Sequence, residues 1–342
     1  MTASIDVAAD PAPSAMPVRF VARRPGETTT SLPVQRSAPE FAELAELIAD
    51  PSVTDVFVNG PLDVWVDRGD GSERAAALPL DEAGLRALAV RLVALGGRHI
   101  DEASPCVDVR LHDGIRVHVV LPPISTGGTL VSIRVPRSTR HSLKSLDESG
   151  LFASVALDAI HELVEHRRNV LITGAGGSGK TTLLGAMLAA ADPSDRIIAI
   201  EDVAELHVDH PHFVSLESRQ RNLEGAGDVG LEALVREALR MRPDRLVLGE
   251  CRGAEVRELF AALNTGHDGG AGTLHANSLE DVPARLEALG ALAGLGPWAV
   301  ARQAVSAFHA VLHLQRRGPT RIISGVGRLV VDDRDRLAIE AV

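Results

Sequence analysis

The stretch GAGGSGKTT, residues 174 to 182, constrains the chain more than any other. It fits the phosphate-loop pattern G-x-x-x-x-G-K-[ST], with Gly174, Gly179, Lys180 and Thr181 at the fixed positions. The apolar run NVLIT leads in, and Leu183, Leu184, Met187 and Leu188 lead out at helical spacing. Strand, glycine-rich turn and helix N-terminus together aim backbone N–H groups and the positive end of a helix at one point, which suits phosphate. Gly176, Gly177, Ser178, Gly179, Lys180, Thr181 and Thr182 are therefore the candidate nucleotide-binding residues. ATP and Mg²⁺ are the expected cofactors, with Lys180 on the outer phosphates and Thr181 on the metal.

The rest of the C-terminal half supports a parallel sheet. Strand-like NVLIT, RIIAI (196 to 200), FVSL (213 to 216) and RLVLG (245 to 249) alternate with helical stretches, one carrying Leu231, Leu234, Val235, Ala238 and Leu239 and another Val256, Leu259, Phe260 and Leu263. Continuous apolar strands between amphipathic helices predict an α/β domain over residues 151 to 342.

Hydrolysis needs one carboxylate to complete a metal shell and one to orient or deprotonate water. RLVLGECR supplies Glu250 at a strand end, with Gly249 where many phosphate-loop enzymes carry aspartate. IIAIEDVAEL supplies Glu201, Asp202 and Glu205 just past another strand, where a charged turn is the alternative reading. In a parallel sheet the strand C-termini share one edge, so both groups point toward the phosphate loop. Arg219, Arg240, Arg242, Arg245 and Arg252 cluster nearby, most of them expected in structural or intersubunit ion pairs.

His267 and His275 flank the glycine-rich run TGHDGGAGTLHANS. No cysteine or carboxylate accompanies them at zinc-ligand spacing, and the carboxylates suit base chemistry better. His275 is expected to sense the γ-phosphate or Glu250, and His267 to tie the loop to a neighbouring element. HVDHPH, with His207, His210 and His212, is read as a loop rather than a metal site, because Pro211 and the next strand oppose convergence. Cys106 and Cys251 are read as small buried residues.

The N-terminal half is different in kind. Residues 1–38, rich in Ala, Pro, Ser and Thr, read as a disordered leader. Residues 39–135 read as an α+β domain: a short helix from Pro39, strands in VTDVFVNG and DVWVDR, an Asp70-Gly71 hairpin turn, a helix over 81 to 95, and a closing strand in TLVSIRVP. In VDVRLHDGIRVHVVL, a His112-Asp113-Gly114 loop with left-handed Gly114 pairs Val107 with Val119, Val109 with Val117 and Leu111 with Ile115. One face is then apolar and the other holds Asp108, Arg110, Arg116 and His118, either a solvated surface or an anion-binding one. Residues 136–150 read as a linker.

Composition narrows the partners. A net charge of −11, 3% aromatic residues and no tyrosine argue against direct nucleic-acid contact, which draws on basic footprints and stacking platforms. Two cysteines cannot supply a disulfide framework, which fits a reducing, cytoplasmic setting, and neither a membrane span nor a signal peptide is indicated.

The phosphate loop, IEDVAEL, LRMRPDRLVLGECRG and TGHDGGAGTLHANS, in this order and spacing, resemble the Walker A, Asp box, Walker B and His box of the type II/type IV secretion (GspE/PulE-like) ATPase superfamily. DVFVNGP, GRHIDEASPCVDVRLHDGIRVHVVLPP, SIR and RMRPDRLVLGE make residues 50 to 315 look closest to its TadA/CpaF branch, the motor of tight-adherence pili. The resemblance implies a homo-hexameric ATPase, peripheral at the inner face of the cytoplasmic membrane, whose partners are inner-membrane platform proteins. It implies a RecA-like C-terminal domain, a smaller α+β (PAS-like) N-terminal domain, and ATP between them. By the same resemblance Glu205, Glu250 and His275 are catalytic, Arg110, Arg116 and Arg134 approach the phosphates, Thr181 and Glu250 serve the metal, and Glu201 and His267 join the nucleotide site. Gly176-Gly177, Cys251 and Gly270-Ala271-Gly272 depart from the branch's usual residues by small substitutions. A conjugation-type transfer ATPase and a non-hydrolysing nucleotide-gated scaffold are the alternatives.

Overall fold

Apolar and polar residues alternate along the strands of the N-terminal half, and that period sets its architecture. A computed structural model describes residues 38–342 apart from residue 70, residues 137–140, residues 220–226 and residue 319. The leader read over residues 1–38 therefore lies outside the described residues except for Ala38, which is buried. Asp70 of the expected hairpin turn is outside them too.

Six strands, β1 (Asp55–Val58), β2 (Val64–Asp67), β3 (Ser72–Arg74), β4 (Cys106–Arg110), β5 (Arg116–Val120) and β6 (Leu130–Arg134), form a sheet in the order β3-β2-β1-β6-β5-β4. Every pairing is antiparallel. One face packs on a 3₁₀ turn (Pro39–Leu44), α1 (Ala45–Ala49) and α2 (Glu82–Leu95). Asp81 caps α2 by accepting from Gly84 N at 2.8 Å, and Leu85, Leu88, Ala89, Leu92 and Val93 bury its inner stripe.

The β4–β5 hairpin has the expected register, Val107 opposite Val119 and Val109 opposite Val117, and Gly114 takes φ +74°. Its polar face carries a cross-strand row. Arg110 lies opposite Arg116, Arg116 opposite Arg134, Arg134 opposite Asp55, and Asp55 opposite Asp67. Positive charge at one end of the row thus passes to negative charge at the other.

The C-terminal sheet contains β7 (Val170–Gly174), β8 (Ile197–Glu201), β9 (Phe213–Glu217), β10 (Arg245–Cys251), β11 (Ala271–Leu274), β12 (Ala310–Arg317), β13 (Thr320–Val331) and β14 (Leu337–Ala341). Their order is β14-β13-β12-β7-β11-β10-β8-β9, parallel from β12 to β9, with β13 and β14 added antiparallel. Leu171, Ile198, Ile200, Leu246 and Leu248 face α6 (Leu231–Arg240), α7 (Val256–Leu263), α8 (Val282–Leu292) and α9 (Pro297–Ala307). Val170, Ile172, Ile197, Ala199 and Val247 face α3 (Leu143–Glu148), α4 (Leu157–Glu165) and α5 (Lys180–Ala189). Strands buried on both faces explain their unbroken apolar sequence.

Helix α3 corrects the reading of residues 136–150 as linker. Ser142 and Ser145 form a reciprocal cap, and Leu143 and Leu146 are buried on the layer containing α5. A helix under two turns long shows too few apolar repeats to betray its period.

Candidate nucleotide site

The phosphate loop leaves β7 through Gly174, whose φ of +145° brings it against the neighbouring strand. A Cβ there would lie 2.4 Å from Leu314 O and 2.7 Å from Ser178 Oγ, so only glycine fits. Gly179, at φ +99°, turns the chain into α5. Lys180 folds back over the loop, and its Nζ donates to Gly174 O and Ala175 O, each at 2.9 Å. Burial lowers its pKa, opposed by the charges of Glu250 and Glu205. Ser178 Oγ is buried with no hydrogen-bond partner among the described residues.

Strands β8 and β10 end at the same edge, as a parallel sheet requires. A cavity of about 960 Å³ opens there, lined by the phosphate loop, by Glu205, Glu250 and His275, and by Arg116 and Arg134 from the N-terminal sheet. His275 Nε2 lies 2.9 Å from Glu250 Oε1. Burial and the nearby Lys180 charge lower the pKa of His275, with Glu250 opposing them. Arg116 reaches Glu205 at 3.5 Å, and Arg134 Nε donates to Asp55 at 3.1 Å.

Glu201 occupies an unusual position. It is buried, and its carboxylate accepts from the backbone N–H groups of Glu205 (3.0 Å) and Leu206 (3.1 Å). Burial pushes its pKa up to about 7, although those two hydrogen bonds act the other way. It also explains Gly249: a Cβ at that position would sit 2.5 Å from Glu201 Cγ. The aspartate many phosphate-loop enzymes carry there has no room in this chain.

Two residues read as part of the site are placed elsewhere. Arg110 pairs with Glu217 and donates from Nη2 to Ala204 O at 2.8 Å, away from the cavity lining. It ties the N-terminal hairpin to β9 and to the turn carrying Glu205. His267 precedes β11 whereas His275 follows it, so the two stand at opposite edges of the sheet. His267 Nδ1 is 3.1 Å from Ala262 O, at the end of α7, and does not line the cavity. Of these two histidines, His275 lines the cavity.

Other sequence readings resolve into local bonding. His207 Nδ1 lies 3.0 Å from Glu205 O, His210 Nε2 lies 3.0 Å from Asp192 O, and His212 Nε2 meets Arg196 at 2.6 Å. Arg245 is buried on Asp195 at 2.7 Å, and Arg240 pairs with Glu237 at 3.0 Å. Cys251 is buried, but Cys106 is exposed, because it opens the edge strand β4. Arg252 pairs with Asp202 and lines the cavity. Arg316 and Arg321, on the β12–β13 hairpin, line it as well and had no signal in the sequence. Arg321 reaches the phosphate loop because β12 pairs with β7.

Residues 37–318 match the family described as type II/IV secretion system protein. The chain belongs to that family. A putative conjugal transfer protein of Mycobacterium tuberculosis is 48% identical over 279 residues, covering 80% of this chain and 79% of the relative. The type IV secretion system protein VirB11 of Brucella suis is 32% identical over 257 residues, covering 68% of this chain and 71% of its own length. Among solved structures, the pilus retraction motor PilT with bound ADP superposes with a TM-score of 0.59 at 21% identity, over 88% of this chain and 82% of that one. The secretion-family chain thus has the expected α/β architecture, a RecA-like C-terminal part preceded by a smaller α+β part. No helix among its described residues is long and apolar enough to cross a membrane.

Proposed function

We propose that this secretion-family chain is an ATP-hydrolysing motor that works as a homo-hexamer against inner-membrane platform proteins. One observation carries the reading: a phosphate loop, a Glu250–His275 pair, Glu205 and arginines from a second sheet all face one cavity. The fit to a metal nucleotide is chemical. Thr181 and Glu250 offer the hydroxyl and carboxylate oxygens that Mg²⁺ favours, and they would hold it. Mg²⁺ supplies charge neutralisation on the phosphates when bound.

Lys180 leaves the loop carbonyls for the outer phosphates, and Arg116 and Arg134 add positive charge from the N-terminal sheet. Glu205 orients the attacking water and takes its proton as the water oxygen bonds to the γ-phosphorus. The bond to the bridging oxygen then breaks, leaving ADP and phosphate. His275 reports the state of Glu250. Loss of the γ-phosphate removes an anion held by residues of both sheets, so the N-terminal sheet is free to rotate, a switch of the phosphate-released kind.

Within the family, the cargo is a surface filament of the tight-adherence type, as the TadA/CpaF motifs suggest, or a transferred substrate. The 48% relative named for conjugal transfer favours the second. A net charge of −11 disfavours direct DNA handling in either case. ATPase assays on the full chain and on Glu205→Gln test the motor reading. Turnover in the wild type that is lost in the variant, with ATP binding kept, supports it. ATP binding without turnover in the assembled wild type overturns it in favour of a nucleotide-gated scaffold.

A further inference from the structure

The β12–β13 hairpin places a second arginine pair at the site. Arg316 and Arg321 are direct cross-strand partners. Like charges seldom stand opposite one another in a hairpin, and this pair concentrates positive charge on one face of it. Both side chains line the nucleotide cavity. Arg321 Nε donates to Gly177 O at 3.1 Å, and its Cδ lies 3.1 Å from where a Cβ on Gly179 would be. The side chain therefore runs along the phosphate loop. Arg316 Nη2 donates to Gly69 O at 3.1 Å, on the β2–β3 turn of the N-terminal sheet.

Lys180 and Arg321 share one habit. Each rests on carbonyls of the phosphate loop itself, Lys180 on Gly174 and Ala175, Arg321 on Gly177. A carbonyl is a weaker partner for a cation than a phosphate oxygen, so an arriving triphosphate competes for both. The same hairpin touches the loop through Arg321 and the N-terminal sheet through Arg316.

We infer that Arg321, supported by Arg316 across the hairpin, is a phosphate-binding residue acting within its own chain and distinct from the arginines of the N-terminal sheet. The inference rests on the cavity being a nucleotide site. Its test is equilibrium binding of fluorescent ATP and ADP analogues to the full chain, as wild type, Arg321→Ala, Arg321→Lys, Arg316→Ala and Lys180→Ala, over a range of ionic strength. We expect Arg321→Ala to weaken ATP binding about tenfold at low salt and to flatten its salt dependence, because one screened contact is gone. Lysine should restore part of both, and Arg316→Ala should show a smaller loss. A purely structural arginine would leave the salt dependence unchanged; that result, or an ATP affinity within about twofold of wild type while Lys180→Ala abolishes binding, overturns the inference. Failure of the wild type to bind either nucleotide would instead overturn the nucleotide site itself.

Discussion

His275 Nε2 sits 2.9 Å from Glu250 Oε1, which couples the end of β11 to the end of β10 at the edge that holds the phosphate loop. Burial and the Lys180 charge lower the pKa of His275 and so disfavour its imidazolium, and a ring carrying its proton on Nε2 donates to the carboxylate. Removing it leaves Glu250 without that donor but leaves the loop and Lys180 in place. His275→Ala should therefore cut turnover by roughly a hundredfold, the scale of a lost acid/base or positioning group, with ATP affinity changed only a few-fold. Single-turnover hydrolysis beside equilibrium binding separates the two. An equal loss in both would mean that His275 serves binding rather than chemistry.

Arg110 and Arg116 face each other across one hairpin yet should behave differently when replaced. Arg116 lines the cavity beside Glu205, whereas Arg110 is committed to Glu217 and Ala204 O. Arg116→Ala should lower kcat/KM for ATP by about tenfold or more, as loss of a charge-stabilising cation does. Arg110→Ala should instead loosen the contact between hairpin and β9, read as faster proteolysis or hydrogen exchange there. Matching kinetic losses in the two variants would contradict the separation.

The limits of the sequence are visible in these same residues. The strand, turn and helix around Lys180 are contiguous, so local spacing suffices to read them. The β4–β5 hairpin is legible for the same reason, since Gly114 and the alternating valines lie within one short segment. What local spacing cannot supply is sheet order. Arg321 reaches Gly177 because β12 inserts beside β7, more than a hundred residues apart in sequence. His267 and His275 look equivalent as a spaced pair, but a parallel strand of four residues separates them, and only its C-terminal end meets the phosphate loop. Arg110 and Arg116 look equivalent as well, until Glu217 takes one of them.

Gly249 is fixed by packing rather than by backbone conformation. A Cβ there would meet Glu201 Cγ at 2.5 Å, and Glu201 is held by the N–H groups of Glu205 and Leu206. Gly249→Ala should thus destabilise the chain by about 1–3 kcal/mol, the usual cost of overpacking. Thermal melting would register it, and an unchanged melting temperature would show that Glu201 moves aside freely.

Glu201 gives the chain a pH dependence whose sign can be worked out. Its pKa rises from 4.5 in the unfolded chain to about 7 in the fold, chiefly through burial. The folded state therefore holds this proton more tightly than the unfolded state does. Its contribution to stability is fully present below pH 4.5, and it is lost as pH rises through 7, a change on the order of 3 kcal/mol at about 1.4 kcal/mol per pKa unit. Gln has no proton to lose, so Glu201→Gln should melt close to wild type at pH 5 and above it at pH 8. The informative quantity is the difference between the two melting temperatures across that range. If it stays flat, Glu201 is not the group that carries the loss, and the buried carboxylate beneath Gly249 ionises without cost to the fold.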